Sequence, residues 1–280
     1  MISDSERAAI LEHAYVPEHL PHYVTAISGT EPFLIDDFVA HLARRQLVFI
    51  GYPLRGKIDG DRMLAALEEA KARFEPATVS IIAPTLPSVL QDCSPSPTDA
   101  YYHLNLSRLR IPKKNRNMLT RARREVSVRI GEFGREHKKL VKDFICSRHL
   151  DDGSRFIFQH LDKYAQCEGA LVFEARNARG KLAAFDIADF AARDYAFYMF
   201  NFRSEKHAGP GASDLLLFHV IKRAQAEGKR YINLGLGIDE GITFFKKKWG
   251  GVPFLDYIAC TQESKAGESW GEMLDQISRL

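Results

Sequence analysis

Arg203-Ser-Glu-Lys-His-Ala-Gly-Pro-Gly-Ala-Ser213 is the stretch on which the fold turns. It sets Gly209 and Gly211 between residues 195–203, which have the composition of a β-strand, and residues 213–227, which have helical periodicity ended by Gly228. Glycines let successive backbone N–H groups turn toward one point. The helix start behind them adds unpaired N–H groups and a partial positive charge, so a pyrophosphate fits the cradle. Lys206 adds a cation, Ala212 a small residue and Ser213 the chemistry of an N-cap. A plain Gly-Pro-Gly turn is the other use of such a stretch.

Working outward, residues 170–175, 182–190 and 195–203 read as consecutive strands separated by Asn177-Ala-Arg-Gly and Ala192-Arg-Asp turns, an antiparallel meander. The helix after the loop carries Leu217, Val220, Ile221 and Ala224 on one stripe, followed by a strand at 231–235 and a short helix through Trp249. Upstream, residues 22–28 read as a strand, 33–45 as an amphipathic helix, 47–52 as a strand, 61–74 as a helix capped by Asp61, and 77–83 as a strand. Strand, loop, helix, strand thus occurs twice, at 47–83 and 195–235, which predicts two copies of one α/β unit. The Pro- and Ser-rich run at 92–99 predicts a boundary, giving domains 1–98 and 99–280. Between these units lie a strand at 101–106, a basic helix at 115–124, a strand at 126–130 and two helices in 135–165.

Gly241-Ile-Thr-Phe-Phe-Lys-Lys-Lys-Trp-Gly-Gly holds three successive lysines. At about 100° per residue, Ile242, Phe245 and Trp249 form an apolar stripe, Lys246 lies at its margin, and Phe244, Lys247 and Lys248 point away. A partly buried Lys246 has two uses, holding a phosphate, carboxylate or oxyanion, or closing a structural salt bridge.

The formal charge of +3 is the balance of 39 basic and 36 acidic residues, so no whole-protein field draws in nucleic acid. Locally, Arg108, Arg110, Lys113, Lys114, Arg116, Arg121, Arg123 and Arg124 form a basic segment able to meet a tRNA backbone or to serve as a solvated face. Cys93, Cys146, Cys167 and Cys260 lack metal-ligand spacing, so no metal is expected, and they read as free thiols of a reducing compartment. A polar N-terminus and the lack of any run of about 18 apolar residues predict a cytoplasmic protein without integral membrane association.

Lys206-x-x-Gly209-x-Gly211, between a strand and a helix, resembles the acyl-CoA loop of the GNAT acyltransferase superfamily, with Lys where that family has Gln or Arg. Tyr231-Ile-Asn-Leu-Gly with the Phe245–Lys246 pair resembles the FemAB-like aminoacyl transferases. Asp99-Ala-Tyr-Tyr-His-Leu-Asn-Leu together with Lys113-Lys-Asn-Arg-Asn-Met-Leu-Thr-Arg-Ala is similar to the C-terminal region of lysylphosphatidylglycerol synthases. The resemblance implies tandem GNAT-like domains, each a mixed, mainly antiparallel sheet flanked by helices. It also implies a donor, acyl-CoA or acetyl-CoA, held by Lys206, Gly209, Gly211, Ala212, Ser213 and Phe245, and an amine acceptor, small or peptide-like, that attacks directly. Lys246, Asn233 and Tyr198 are the implied catalytic residues. Aminoacyl-tRNA as donor and a non-catalytic tandem binding module are the competing readings. Asp186, Asp189, Asp239 and Glu240 are the available bases, none distinguished by spacing. The loop at 55–61 lacks the glycine frame, so the first copy is expected to bind no CoA.

Overall fold

The computed structural model describes residues 2–87, 94–95 and 98–263. The chain begins with α1 (Asp4–His13) and α2 (Pro21–Ser28), then β1 (Glu31–Ile35), β2 (Phe38–Ala43) and β3 (Gln46–Ile50). Next come α3 (Gly60–Phe74), β4 (Thr78–Ala83), the two-residue β5 (Ser94–Pro95), β6 (Asp99–Asn105), α4 (Lys113–Glu125) and β7 (Val126–Gly131). Helices α5 (Arg135–Ser147), α6 (Asp152–Gln159) and the short α7 (Leu161–Tyr164) precede β8 (Ala170–Asn177), β9 (Leu182–Asp189) and β10 (Tyr195–Arg203). The last elements are α8 (Ala212–Ala226), β11 (Tyr231–Leu236), α9 (Glu240–Lys248) and β12 (Val252–Glu263).

These strands form one sheet in the order β1-β2-β3-β4-β12-β6-β11-β10-β9-β8-β7, with β5 added beside β12. Two neighbouring pairs are parallel, β3 with β4 and β10 with β11, and each is joined by its helix, α3 or α8. The expected mixed, mainly antiparallel sheet with a repeated unit is therefore present. Strand β12 spans both parts, its residues 252–257 pairing β6 and residues 258–263 pairing β4. Pro253 falls at its register shift, the place where a missing N–H costs least.

Helix α8 buries Leu217, Val220, Ile221 and Ala224 on one face of the sheet, beside Leu119 and Ala122 of α4. On the opposite face Leu140 and Val141 of α5 and Tyr23, Val24 and Ile27 of α2 cover Phe185, Phe197 and Phe202. A further core packs Met63, Ala66, Leu67 and Ala70 of α3 on Phe38, Phe49 and Ile81.

Two upstream expectations are corrected. Residues 22–28 are helical: Pro21 presets the first turn, and Gly29 at φ +70° ends it in the left-handed conformation, outweighing the β-branched composition. Residues 33–45 are a hairpin, in which Asp36 at φ +51° and Asp37 make the turn that pairs Ile35 with Phe38. The cap of α3 is Asp59, whose Oδ1 accepts from the N–H groups of Asp61 and Arg62 at 3.0 and 3.1 Å. Cysteine usage differs too: Cys146 and Cys167 are free, whereas Cys260 is disulfide-bonded. Sequence spacing does not register this, because β12 brings Cys260 opposite Pro95 only in the folded sheet. Cys93 and half of the 92–99 connection, residues 92–93 and 96–97, lie outside the described residues.

Candidate active site

Beyond Tyr195–Phe197, which pair with Tyr231–Asn233, β10 and β11 part. The register of β10 against β9 shifts between Tyr198 and Phe200, a bulge that turns the strand at the point of separation. A cavity of about 1220 Å³ opens there. Its lining includes Tyr198, Lys206, Ser213, Phe245 and Lys246, so five of the nine expected site residues meet in one space. The far wall is built by α5 and α6 through Lys139, Phe144, Arg148 and Phe158.

Gly209, Gly211 and Ala212 stand behind this lining, at the start of α8. Gly211 is the N-cap, at φ +83°, without a side-chain capping bond. A Cβ there would lie 2.9 Å from Met118 Cγ and 3.2 Å from Ala122 Cβ, so glycine also permits α4 to pack closely. Ser213 lies inside the helix and is not the cap, since the left-handed Gly211 starts the helix earlier; its hydroxyl donates to Asn201 Oδ1 at 3.0 Å. First-turn N–H groups of α8 are thus left without a side-chain cap, the arrangement that attracts anions.

Lys246 is 4% exposed. Its Nζ donates to the Leu236 carbonyl and lies 5.8 Å from the Tyr102 ring centroid. Burial pulls the ammonium down to about 7, against the opposing charges of Asp99 and Asp239. Phe245 stacks on Tyr198 with centroids 6.4 Å apart. Phe244 and Lys247 are exposed as the helical phase predicts, but Lys248 is not turned away. It reaches back to Asp214 at 2.5 Å, and Asp214 also accepts from Trp249 Nε1 at 2.8 Å. The first turn of α8 and the end of α9 are thereby tied.

Just upstream of α9, Asp99 accepts from the N–H groups of Gly237 and Ile238 at 3.0 and 2.8 Å. The anchored loop holds Ile238 at φ +59°, costly for a β-branched residue, and leaves its side chain 60% exposed at the cavity.

Asn233 takes no part in the lining. Its Nδ2 donates to the Tyr15 carbonyl at 2.8 Å, and its Oδ1 accepts from Gly235 N–H at 2.7 Å. None of the basic residues at 108–124 lines the cavity. The α5–α6 wall was invisible in the sequence, because helical phase separates buried from exposed positions without saying what the exposed face looks onto. Among the described residues no group of three or more His, Cys, Asp or Glu is placed to hold a metal, and no helix is long and apolar enough to cross a membrane.

Residues 113–247, from α4 to α9, match the acetyltransferase (GNAT) domain family. The fold is GNAT-like. This GNAT-like fold is shared along nearly the whole chain with L-PGS from Bacillus licheniformis, at 16% identity and a TM-score of 0.64, covering 99% of this chain and 96% of that one. FemX is similar at 10% identity and a TM-score of 0.58, with 92% and 96% covered. A tandem GNAT protein from the clavulanic acid biosynthesis pathway is similar at 13% identity and 0.55, with 95% and 97% covered. No curated protein matches the sequence.

Proposed function

We propose that the chain is a GNAT-type acyltransferase that passes an acyl group from acyl-CoA or acetyl-CoA to an amine by direct attack. The observation that carries this reading is the parting of β10 and β11 beside the uncapped start of α8, with Tyr198, Ser213, Phe245 and Lys246 lining the same cavity. The donor pyrophosphate lies against the first turn of α8 and Lys206, and its thioester enters the gap between the strands. The amine approaches from the α5–α6 wall. As the C–N bond forms, the carbonyl oxygen becomes an oxyanion, which Lys246 in its ammonium form stabilises. Collapse breaks the C–S bond. Asn233 contributes by pinning β11 to the N-terminal segment, and residues 1–98 complete the fold without a donor site of their own.

The test is thiol release from acetyl-CoA and longer acyl-CoAs with a panel of amines. Lys246→Met should lower kcat by about 100-fold while donor KM stays within about threefold. A variant as fast as wild type removes Lys246 from the reaction.

A second reading, aminoacyl-tRNA as donor, is favoured by a different observation. The eight basic side chains at 108–124 are all exposed, and among the described residues none of Arg108, Arg110, Lys113, Lys114, Arg116, Arg121, Arg123 or Arg124 is in an ion pair. tRNA binding should then weaken steeply with salt, and neutralising Arg121, Arg123 and Arg124 should flatten the slope by about three counterions. Salt-independent binding would count against this donor.

A further inference from the structure

Buried aspartates on β9 differ in one respect. Asp189 is fully engaged, accepting from His22 Nε2 at 2.7 Å, Tyr164 OH at 2.9 Å and Ala191 N–H at 2.9 Å. Asp186, equally buried, accepts at Oδ1 from Tyr198 OH at 3.1 Å and from Asn201 Nδ2, while its Oδ2 has no hydrogen-bond partner. An idle oxygen on a buried carboxyl is costly, because the hydrogen bonds it loses to water are not replaced. Packing alone gives no reason for it, since the same face of β9 carries Ala184 and Ala188. All three groups around the carboxyl belong to the cavity lining: Tyr198, Asn201 and, through Asn201, Ser213.

From this placement we infer that Asp186 is the proton-accepting positioning residue of the acceptor site, acting through Tyr198. The inference rests on the transferase reading. As the amine nitrogen bonds to the acyl carbon, its N–H proton passes to the phenolic oxygen of Tyr198, and the phenol's own proton passes to Oδ1 of the Asp186 carboxylate. When the C–S bond breaks, the proton returns along the same path to the departing sulfur, and the carboxylate is restored. Burial raises the proton affinity of Asp186 well above that of an ordinary carboxyl, opposed by the bonds from Asn201 and Tyr198. A relay ends well on such a group. The other charge acting on Tyr198 is Asp214 of α8, itself paired with Lys248 of α9. The missing general base of the sequence is thus a carboxyl one residue behind the cavity surface.

The experiment compares Asp186→Asn, Asp186→Glu, Tyr198→Phe and the Asn/Phe double variant of the full chain, using acetyl-CoA and the amine panel. Asp186→Asn and Tyr198→Phe should each lower kcat about 100-fold, with donor KM within about threefold. The double variant should be no slower than the worse single, because the two act as one unit. Asp186→Glu should recover part of the loss, and the limb of the kcat–pH profile belonging to the pair should vanish in Asp186→Asn. Losses below threefold, or losses that multiply, overturn the relay. Carbon-13 NMR of aspartate-labelled wild type gives a readout without turnover: one carboxyl should titrate above the ordinary range and move in Tyr198→Phe, and its absence overturns the pairing. Wild type inert toward every acyl-CoA would defeat the acyl-CoA reading, while the carboxyl titration still decides the pairing.

Discussion

The two parallel strand–helix–strand units of the sheet diverge at the same three places. In the first, β3 and β4 pair from Gln46–Thr78 through Ile50–Ile82; in the second, β10 and β11 separate after three residues. The first helix is capped by Asp59, whereas the second starts at Gly211 without a side-chain cap. Around the start of the first helix, Arg55 of the loop and Arg62 of the first turn close on Asp37, and Arg62 also pairs Asp36, all within 2.7 Å. In the second unit the loop before the helix, residues 204–207, lines the cavity instead. The first unit closes its strand pair, its helix start and its loop charges internally, and the other leaves strand edges and a helix start for something else. Unmet polar groups, more than the shared topology, are what mark a site.

Substitutions that push either unit toward the other sharpen this contrast. The largest effect is expected at Gly211. Gly211→Ala meets both a positive φ and the contact with Met118, costing about 2–4 kcal/mol, whereas Gly56→Ala, at φ +86° with only the flexible end of Arg62 nearby, should cost about 1 kcal/mol. Urea unfolding of the two variants measures the difference; equal losses would mean that α4 does not pack on the loop as described.

Lys246 gives the next effect, through pH. Its ordinary value is 10.5 and its folded value about 7, so between these the unfolded chain binds more protons. Stability should rise with pH across that window, by at most about 1.4 kcal/mol per unit, and Lys246→Met should remove the rise. Parallel stability curves for the two proteins from pH 7.5 to 9.5 would contradict the burial of an ionisable amine.

Uncapping the first unit tests whether an open helix start is sufficient. Asp59→Ala should cost about 1 kcal/mol in thermal or urea unfolding and confer no affinity for acetyl-CoA, because β3 and β4 remain paired. Ile238→Asn should have the smallest effect, raising stability by about 0.5–1 kcal/mol as asparagine tolerates the positive φ. A Tm that falls would show that the exposed isoleucine is held by packing.

How much of this was readable in the sequence follows the same division. The meander, the second βαβ unit and the Phe245–Lys246 helix were legible, because each combines a strong period with its own turn residues. Residues 22–28 and 33–45 are not legible from pattern, because short apolar runs fit either period and the deciding signals are single residues, Pro21, Gly29 and Asp36. Strand β12 went unread; its partners β4 and β6 lie more than a hundred residues upstream, and nothing local announces them. Within the site, residue types were legible and partners were not. Asp186 and Asp189 look alike in sequence, and only folding leaves one of them with an idle oxygen.

The most direct test of the central claim is calorimetric titration of acetyl-CoA into wild type and Lys206→Glu, a change that leaves the Gly211–Met118 contact intact. Wild type should show a single site, and binding should weaken at least about tenfold when the exposed cation at the cavity is reversed. No binding by wild type, or equal binding by the variant, would contradict the assignment of the open unit as the donor site.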